Sequence, residues 1–354
     1  MTIQESYTPE MFAEHLVLML NHASTTVMIA LGHKLGLFDS LEELESVSSR
    51  ELAEHSGCDE RYIREWLSVM VTAKIISYEP MHKTYILPKN YAMFLCRKYS
   101  PDNIAVTSQF IPLMGQMLPQ LEKSFRSGNG LQYSDYPCFH SVMAEDSYQT
   151  VVCALFDHIL PLMDDMTERL QWGIRVLDAG CGKGLALLKL AQEFPNSHFV
   201  GYDLCEDAFA ETLEHAKALR LTNIEFQARD LRDFHEPESF DFIASFDAVH
   251  DQADPQALLD GIYRALRPRG TYLMQDIAGS SYLENNLDHP LGPLLYSISC
   301  AHCTPVSLGQ GGPGLGTMWG EELATGMLQA AGFNKIQKHK LEHDPFNVYF
   351  INRK

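Results

Sequence analysis

The stretch Asp178-Ala-Gly180-Cys-Gly182-Lys-Gly184 carries the sharpest chemical signal in the sequence. Three glycines at alternate positions follow Val176-Leu177 and precede a leucine-rich segment, which reads as a tight turn from a strand into a helix. Such a turn lets a ligand approach the backbone and points free helix N–H groups at it. A dinucleotide-binding turn would read G-x-G-x-x-G; here the third glycine arrives one residue early. Asp178 stands just before the first glycine, where a carboxylate repels a pyrophosphate and attracts a ligand with a cationic end. Asp203, followed by Leu204, ends the next apolar run, and an acceptor carboxylate matches the two O–H donors of a ribose. Asp230-Leu231 then offers an acceptor for an exocyclic amine and an apolar side chain for a flat ring. Ser245-Phe246-Asp247 closes a fourth run. Open α/β sheets bind ligands at the carboxyl ends of their strands, and all these residues fall there.

Candidates for chemistry on a second molecule lie close by. Ser245-Phe-Asp-Ala-Val-His-Asp251 places His250 where a near-neutral imidazole can act as a base, with Asp247 or Asp251 to orient it. Asp247 is equally suited to a ligand's cationic end. Asp276 closes a fifth apolar run and is a further pocket candidate. Residues 279–320 follow it, over the same sheet edge, and read as a specificity insertion. Tyr296, His302, Met318 and Trp319 are its pocket candidates, Trp319 for stacking on a flat acceptor. The run Gly309 to Gly316 reads as a mobile hinge for a lid. Cys300-Ala-His302-Cys303 resembles half of a zinc site, but no second cysteine pair accompanies it, so no metal is expected.

The elements that must position these groups alternate. Strands are predicted at 175–178, 198–203, 223–227, 240–246 and 270–276, with helices at 184–194, 207–220 and 255–267 between them. That order argues for a mostly parallel sheet covered on both faces. A helix at 320–331, stopped by Gly332, precedes an antiparallel pair at 333–341 and 346–352 that closes the sheet edge. Upstream, the spacing of Phe12, Leu16, Met19, Ala23 and Val27 predicts a helix over 10–31. It is nearly all apolar by its end and suits contact with another helix or subunit. Ser48 to Glu51 forms a capping-box pattern, and Asp59 can cap a helix bearing Ile63, Trp66, Leu67, Met70 and Val71. Short strands at 75–78 and 84–87 complete a winged-helix outline. The second helix offers Arg61 and Arg64 but also Asp59, Glu60 and Glu65, a thin electrostatic case for DNA. Residues 100–165 read as helical, in part a roof for the pocket.

These residues resemble the class I S-adenosylmethionine-dependent methyltransferases. Asp178 to Gly184 is similar to their first motif, Asp203 to their ribose-binding acid and Asp230-Leu231 to their adenine-binding pair. Leu266-Arg-Pro-Arg-Gly270 resembles their turn before strand five. With the front domain, including Glu51 to Trp66, the chain resembles the winged-helix-containing small-molecule methyltransferases. The resemblance implies a doubly wound, Rossmann-like, seven-stranded α/β sheet with an N-terminal, mainly helical winged-helix domain. It implies S-adenosyl-L-methionine as cofactor, S-adenosyl-L-homocysteine as product, and a homodimer built by the front domain. The better known winged-helix O-methyltransferases carry a catalytic histidine just after strand five. Here the sequence is Gln275-Asp276-Ile277-Ala278-Gly279, so that assignment does not transfer. The domains expected are 1–100 for dimerisation, 101–165 as helical linker and roof, and 166–354 for the cofactor.

Composition sets the outer limits. The 354 residues are 45% hydrophobic and 21% charged, which is ordinary for a globular chain of about two domains. A formal charge of −19 weighs against nucleic-acid backbones and acidic membranes as partners. Eight scattered cysteines fit a reducing compartment. The N-terminus has no signal-peptide pattern, and the uncharged stretches at 103–121 and 289–320 are broken by Pro and Gly. A cytoplasmic enzyme acting on a small molecule, without membrane or nucleic-acid partners, is the expectation. The rivals are a methyltransferase of protein or nucleic acid, and a non-enzymatic winged-helix regulator that senses the cofactor or a metabolite.

Overall fold

The computed structural model describes residues 7–354, which fall into two units, Met1–Gly115 and Gln116–Lys354. The first unit thus runs past the expected boundary at 100, and the first six residues of that predicted domain lie outside the described residues. In this unit α1 (Pro9–Lys34) begins at Thr8, whose side chain accepts from the Met11 N–H. Pro9 takes the first helical position, where no intrahelical N–H bond is lost. α2 (Leu37–Leu44) follows Gly36. The capping box forms as the sequence suggests: the Ser48 hydroxyl accepts from the Glu51 N–H, and the Glu51 carboxylate accepts from the Ser48 N–H at 2.8 Å. It opens α3 (Ser49–Ser56), which ends at Gly57 in the left-handed region. Asp59 caps α4 (Glu60–Thr72).

Ile63, Trp66, Leu67 and Met70 of α4 pack with Phe38, Leu41 and Leu52 into one core. The Trp66 indole N–H donates to the Met28 carbonyl of α1 at 2.8 Å. A Cβ on Gly32 would sit 2.4 Å from the Trp66 ring, so glycine is what admits the indole there. β1 (Ser77–Glu79) and β2 (Thr84–Ile86) pair antiparallel, and Val47 bridges to Tyr85. α5 (Lys89–Ala92) follows the wing. On α4, Arg61 pairs with Glu65 and Arg64 with Glu60, so the helix binds up its own cations. On α1 only Ala30, Gly32 and His33 are buried. Met11, Phe12, Leu16, Val17, Leu18, Met19 and Leu20 are 44–68% exposed, and the helix is long and apolar enough to cross a membrane.

α6 (Phe110–Ser127) contains the division between the units. In the second unit α7 (Phe139–Ser147) passes into π-helical turns at Tyr148–Val152 and Leu155–Ile159, and α8 (Met166–Trp172) follows. Val151, Leu155, Leu160 and Met166 pack on Val176, Leu190 and Phe199, so the predicted linker from 116 onward is part of the same body as the sheet. The sheet is then built by β3 (Arg175–Ala179), α9 (Leu185–Glu193), β4 (His198–Asp203), α10 (Glu206–Ala218) and β5 (Ile224–Ala228). It continues through β6 (Phe240–Phe246), α11 (Pro255–Ala265) and β7 (Leu266–Ile277). α12 (Gly292–Ile298), α13 (Thr304–Gly309) and α14 (Gly320–Ala331) precede β8 (Lys335–Leu341) and β9 (Asp344–Arg353).

The strand order is β5-β4-β3-β6-β7-β9-β8, with β9 antiparallel to both of its neighbours, β7 and β8, and the other pairs parallel. Strand periodicity divides the core: Val176 joins the cluster under α9, while Leu177 joins the one under α11 and α14. Two local expectations change. The Arg267 to Gly270 segment lies inside β7, with a register break between Phe240 and Phe242 and Arg269 at φ +67° absorbing the extra residues. The Pro- and Gly-rich insertion is largely helical, because Pro293 and Pro305 occupy the first turns of α12 and α13.

Candidate active site

The turn after β3 is pinned to β4, since the Gly180 and Cys181 N–H groups donate to the Tyr202 carbonyl at 2.8 and 3.0 Å. Two of its glycines are obligatory. Gly180 has φ +85° and a Cβ there would lie 2.6 Å from Ala248; Gly184 has φ +67° and would meet Phe226 at 2.2 Å. Asp203 braces the turn from β4. Its two carboxylate oxygens accept from the Gly182 and Cys205 N–H groups at 2.8 and 2.9 Å. Burial raises its pKa, while those backbone donors pull it back. Asp178 is buried at the same place and its Oδ1 has no hydrogen-bond partner. Burial first, and the neighbouring Asp203 charge second, push its carboxyl up to about 7. Asp247, at φ +49° beyond β6, also has an unpartnered Oδ1, and burial followed by the Asp276 charge raises it well above the usual range.

These groups border a cavity with about 1230 Å³ of empty space, counting its open mouth. Every cofactor candidate read from the sequence lies on its wall: Asp178, Gly180, Gly182, Gly184, Asp203, Leu204, Asp230, Leu231, Phe246 and Asp247. Asp230 arrives already engaged. Arg232 donates to its carboxylate through Nε at 2.9 Å and through its backbone N–H at 3.0 Å, and this pairing lowers its pKa. An amine seeking Asp230 would have to share it with that guanidinium.

The acceptor candidates divide. Asp251 is on the cavity wall, and the Tyr133 hydroxyl lies 3.4 Å from its Oδ2. His250 is not on the wall. It is buried behind it, with Nδ1 donating to Asp276 Oδ1 at 2.8 Å and Nε2 3.4 Å from Asp251 Oδ1. Burial opposes charge on this imidazole, but Asp276 and Asp251 outweigh it and hold its pKa well above the ordinary value. Asp276, Tyr296, His302, Met318 and Trp319, expected in the substrate pocket, also stand off the cavity wall. Asp276 Oδ1 accepts from His250, from the Trp319 indole at 2.9 Å and from the Ile277 N–H at 2.8 Å, so this oxygen and the Trp319 N–H are spent internally, while Asp276 Oδ2 is buried with no partner. Met318 fills the space beside Gly279, and the Tyr296 hydroxyl accepts from Asn286 at 3.0 Å. His302 stacks on Phe139 at 3.9 Å, and burial pushes its pKa down to about 4.

Sequence reasoning expected a roof from within 101–165 but singled out none of the residues of the opposite wall, which is made by Tyr133, Phe139, His140, Met143 and Tyr148, with Gln310 from the insertion. The available signal was the ring-rich stretch Tyr133, Tyr136, Phe139 and His140, around the break at 135–137. The orphaned Asp178 oxygen suits an ammonium, the Asp203 carboxylate suits hydroxyl donors, and the glycine bend leaves room for a ligand against the backbone. The residues present therefore fit an adenosyl amino acid.

Comparison with known proteins agrees. Residues 170–332 match a family described as a methyltransferase domain, and residues 23–97 match the Rv2258c-like winged HTH domain. The chain thus joins a winged-helix domain to a class I S-adenosylmethionine-dependent methyltransferase domain. More narrowly, the whole architecture is shared with solved methyltransferase structures. Human N-acetylserotonin methyltransferase, solved with S-adenosylmethionine, aligns over 100% of this chain and 99% of its own, with TM-score 0.68 at 17% identity. An O-methyltransferase family protein from Burkholderia thailandensis aligns over 99% of each chain, with TM-score 0.67 at 15% identity. At such identities the likeness is one of fold. Phosphoethanolamine N-methyltransferase 1 of Arabidopsis thaliana is 36% identical over 109 residues, which is 30% of this chain and 22% of that protein. Trans-aconitate 2-methyltransferase of Deinococcus radiodurans is 32% identical over 113 residues, or 32% of this chain and 42% of that protein. The chain therefore spans less than half of these relatives' own lengths.

Proposed function

We propose that this protein transfers the methyl group of S-adenosylmethionine to a small organic acceptor held between the strand ends and the wall made by residues 133–152. The observation that carries this reading is the cavity itself, which joins the orphaned Asp178 carboxylate and the glycine bend on one side to an aromatic wall on the other. When bound, the cofactor supplies a methyl group already activated on a sulfonium, so the protein's tasks are placement and field. Asp178 holds the ammonium end, Asp203 takes the ribose hydroxyls and Leu231 packs the ring. Asp251 and Tyr133 border the space for the acceptor, and His250 stands behind Asp251 as a positioning residue.

A homodimer formed through α1 accompanies this reading, supported by the row of exposed apolar side chains from Met11 to Leu20. A cytoplasmic location is supported by eight cysteines, all free. The regulator reading finds little footing in α4, whose arginines are paired with glutamates of the same helix. The test is twofold. S-adenosylhomocysteine should bind in calorimetric titration, and radiolabelled methyl from the cofactor should enter the low-mass fraction of a cell extract. Label only in protein or RNA would reject the small acceptor; no cofactor binding would reject the whole reading.

A further inference from the structure

The Cys300-Ala-His302-Cys303 stretch does not act as a pair. A π-helical turn at Ser299–Cys303 leaves Cys300 exposed and carries Cys303 into the interior. There the Cys303 thiol meets two residues from the turn after β6. Single donor atoms of His250, Asp251 and Cys303 all lie within 4.8 Å of one another, and all three residues are buried. We propose that His250, Asp251 and Cys303 form a three-ligand site for one divalent ion of the zinc class, with a remaining coordination position open to water or to an acceptor in the cavity that Asp251 borders.

The geometry is that of ligands awaiting an ion. His250 Nε2 and Asp251 Oδ1 are 3.4 Å apart, and Asp251 Oδ1 is buried with no hydrogen-bond partner. Zinc–nitrogen and zinc–oxygen bonds of about 2.0–2.2 Å meeting at a tetrahedral angle set their donors about 3.3–3.5 Å apart. The support behind the ligands is also in place. His250 donates its other ring N–H to Asp276, itself fixed by Trp319 and the Ile277 N–H, so Nε2 is the nitrogen offered to a metal. Thr317 donates its hydroxyl to Cys303 Sγ at 3.0 Å, a support that a metal-bound sulfur would keep. A mixed nitrogen, oxygen and sulfur set selects zinc-like ions over magnesium or calcium. Binding displaces a proton from Cys303 Sγ and any proton on His250 Nε2 into the buffer, with no change of oxidation state.

The test uses the full chain without an affinity tag, stripped with a chelator and titrated with Zn²⁺ or Co²⁺. One equivalent should be retained, and Co²⁺ should produce a near-ultraviolet thiolate-to-cobalt band. Cys303→Ser should abolish that band. Asp251→Asn, which keeps shape and removes charge, should weaken Co²⁺ binding at least tenfold. Cys205→Ser is the control, because His140, Cys205 and Asp207 form a separate, partly exposed group. A band that survives Cys303→Ser, a band lost with Cys205→Ser, or no ion retained at micromolar concentration would overturn the site. Titration of each variant with S-adenosylhomocysteine reports folding and cofactor binding separately, so failure here leaves the methyl-transfer reading standing.

Discussion

Replacing Asp178 by asparagine should separate the stability of the ligand-free protein from its affinity for the cofactor. Burial pushes this carboxyl from 3.8 up to about 7. A raised carboxyl pKa means that the folded state resists ionisation. The cost is absent below the unfolded value of 3.8, grows as pH rises, and is complete above about 7. Three units at 1.36 kcal/mol each make the full penalty about 4 kcal/mol, of which about 2 kcal/mol is already present at pH 5.5. Asparagine has no charge to bury, although its amide must find partners at a cost of about 1–3 kcal/mol. The pH dependence is free of that unknown. Relative to the parent, Asp178→Asn should gain about 2 kcal/mol in urea unfolding between pH 5.5 and pH 8.5. In the same buffers, S-adenosylhomocysteine should lose at least tenfold in affinity, because the counter-charge to its ammonium is gone. A stability difference that does not change with pH would show that Asp178 ionises freely. Unchanged affinity would remove it from the cofactor site.

Asp203→Ala should weaken the cofactor more than tenfold in the same titration, since it removes both the ribose acceptor and the brace on the Gly182 N–H; no change would exclude the ribose role. Gly184→Ala forces φ +67° on a residue with a Cβ 2.2 Å from Phe226, and should cost about 2–4 kcal/mol in denaturant unfolding from strain and overpacking together. A neutral result there would mean that Phe226 moves aside freely. Leu16→Glu combined with Leu20→Glu should convert a dimer to a monomer in sedimentation velocity, whereas partition of the parent chain into vesicles would assign α1 to a membrane instead.

The parts legible in the sequence are those fixed by near neighbours. Gly180 and Gly184 had to be glycine because the chain turns directly from β3 into α9, and that constraint is written in consecutive residues. Asp203 and Asp230 follow the strands that deliver them, so strand periodicity alone placed them. His250 shows where this stops. Whether it faces the cavity is decided by Asp276 on β7 and by Trp319 ahead of α14, both distant in sequence. Nothing in the sequence says that these two residues bond to each other rather than to a substrate. Tyr133 and Phe139 stand in a stretch rich in rings, but a wall contributed from before β3 carries no spacing relative to the motifs it faces, so nothing in the stretch says which rings line the cavity.

In the glycine-rich insertion at least one glycine serves close packing. Gly130 and Gly309 pack so closely that a Cβ on either would lie about 2 Å from the other segment's backbone, and the Leu131 N–H donates to the Pro305 carbonyl at 2.8 Å. Ser307 donates to the Gln252 carbonyl, and the Gln310 amide to the Asp251 carbonyl. The glycines thus let two chain segments touch, and the segments in turn clamp the turn that carries Asp251. Asp251 is held through its own backbone carbonyl on one side and faces His250 on the other. Discrimination between acceptors then falls to the fixed shape of this wall and to the side chains of α7 and the π-helical turn after it. Substitutions at Phe139, Met143 or Tyr148 should therefore change which acceptor is taken, while those at the buried Met318 and Trp319 should act through stability.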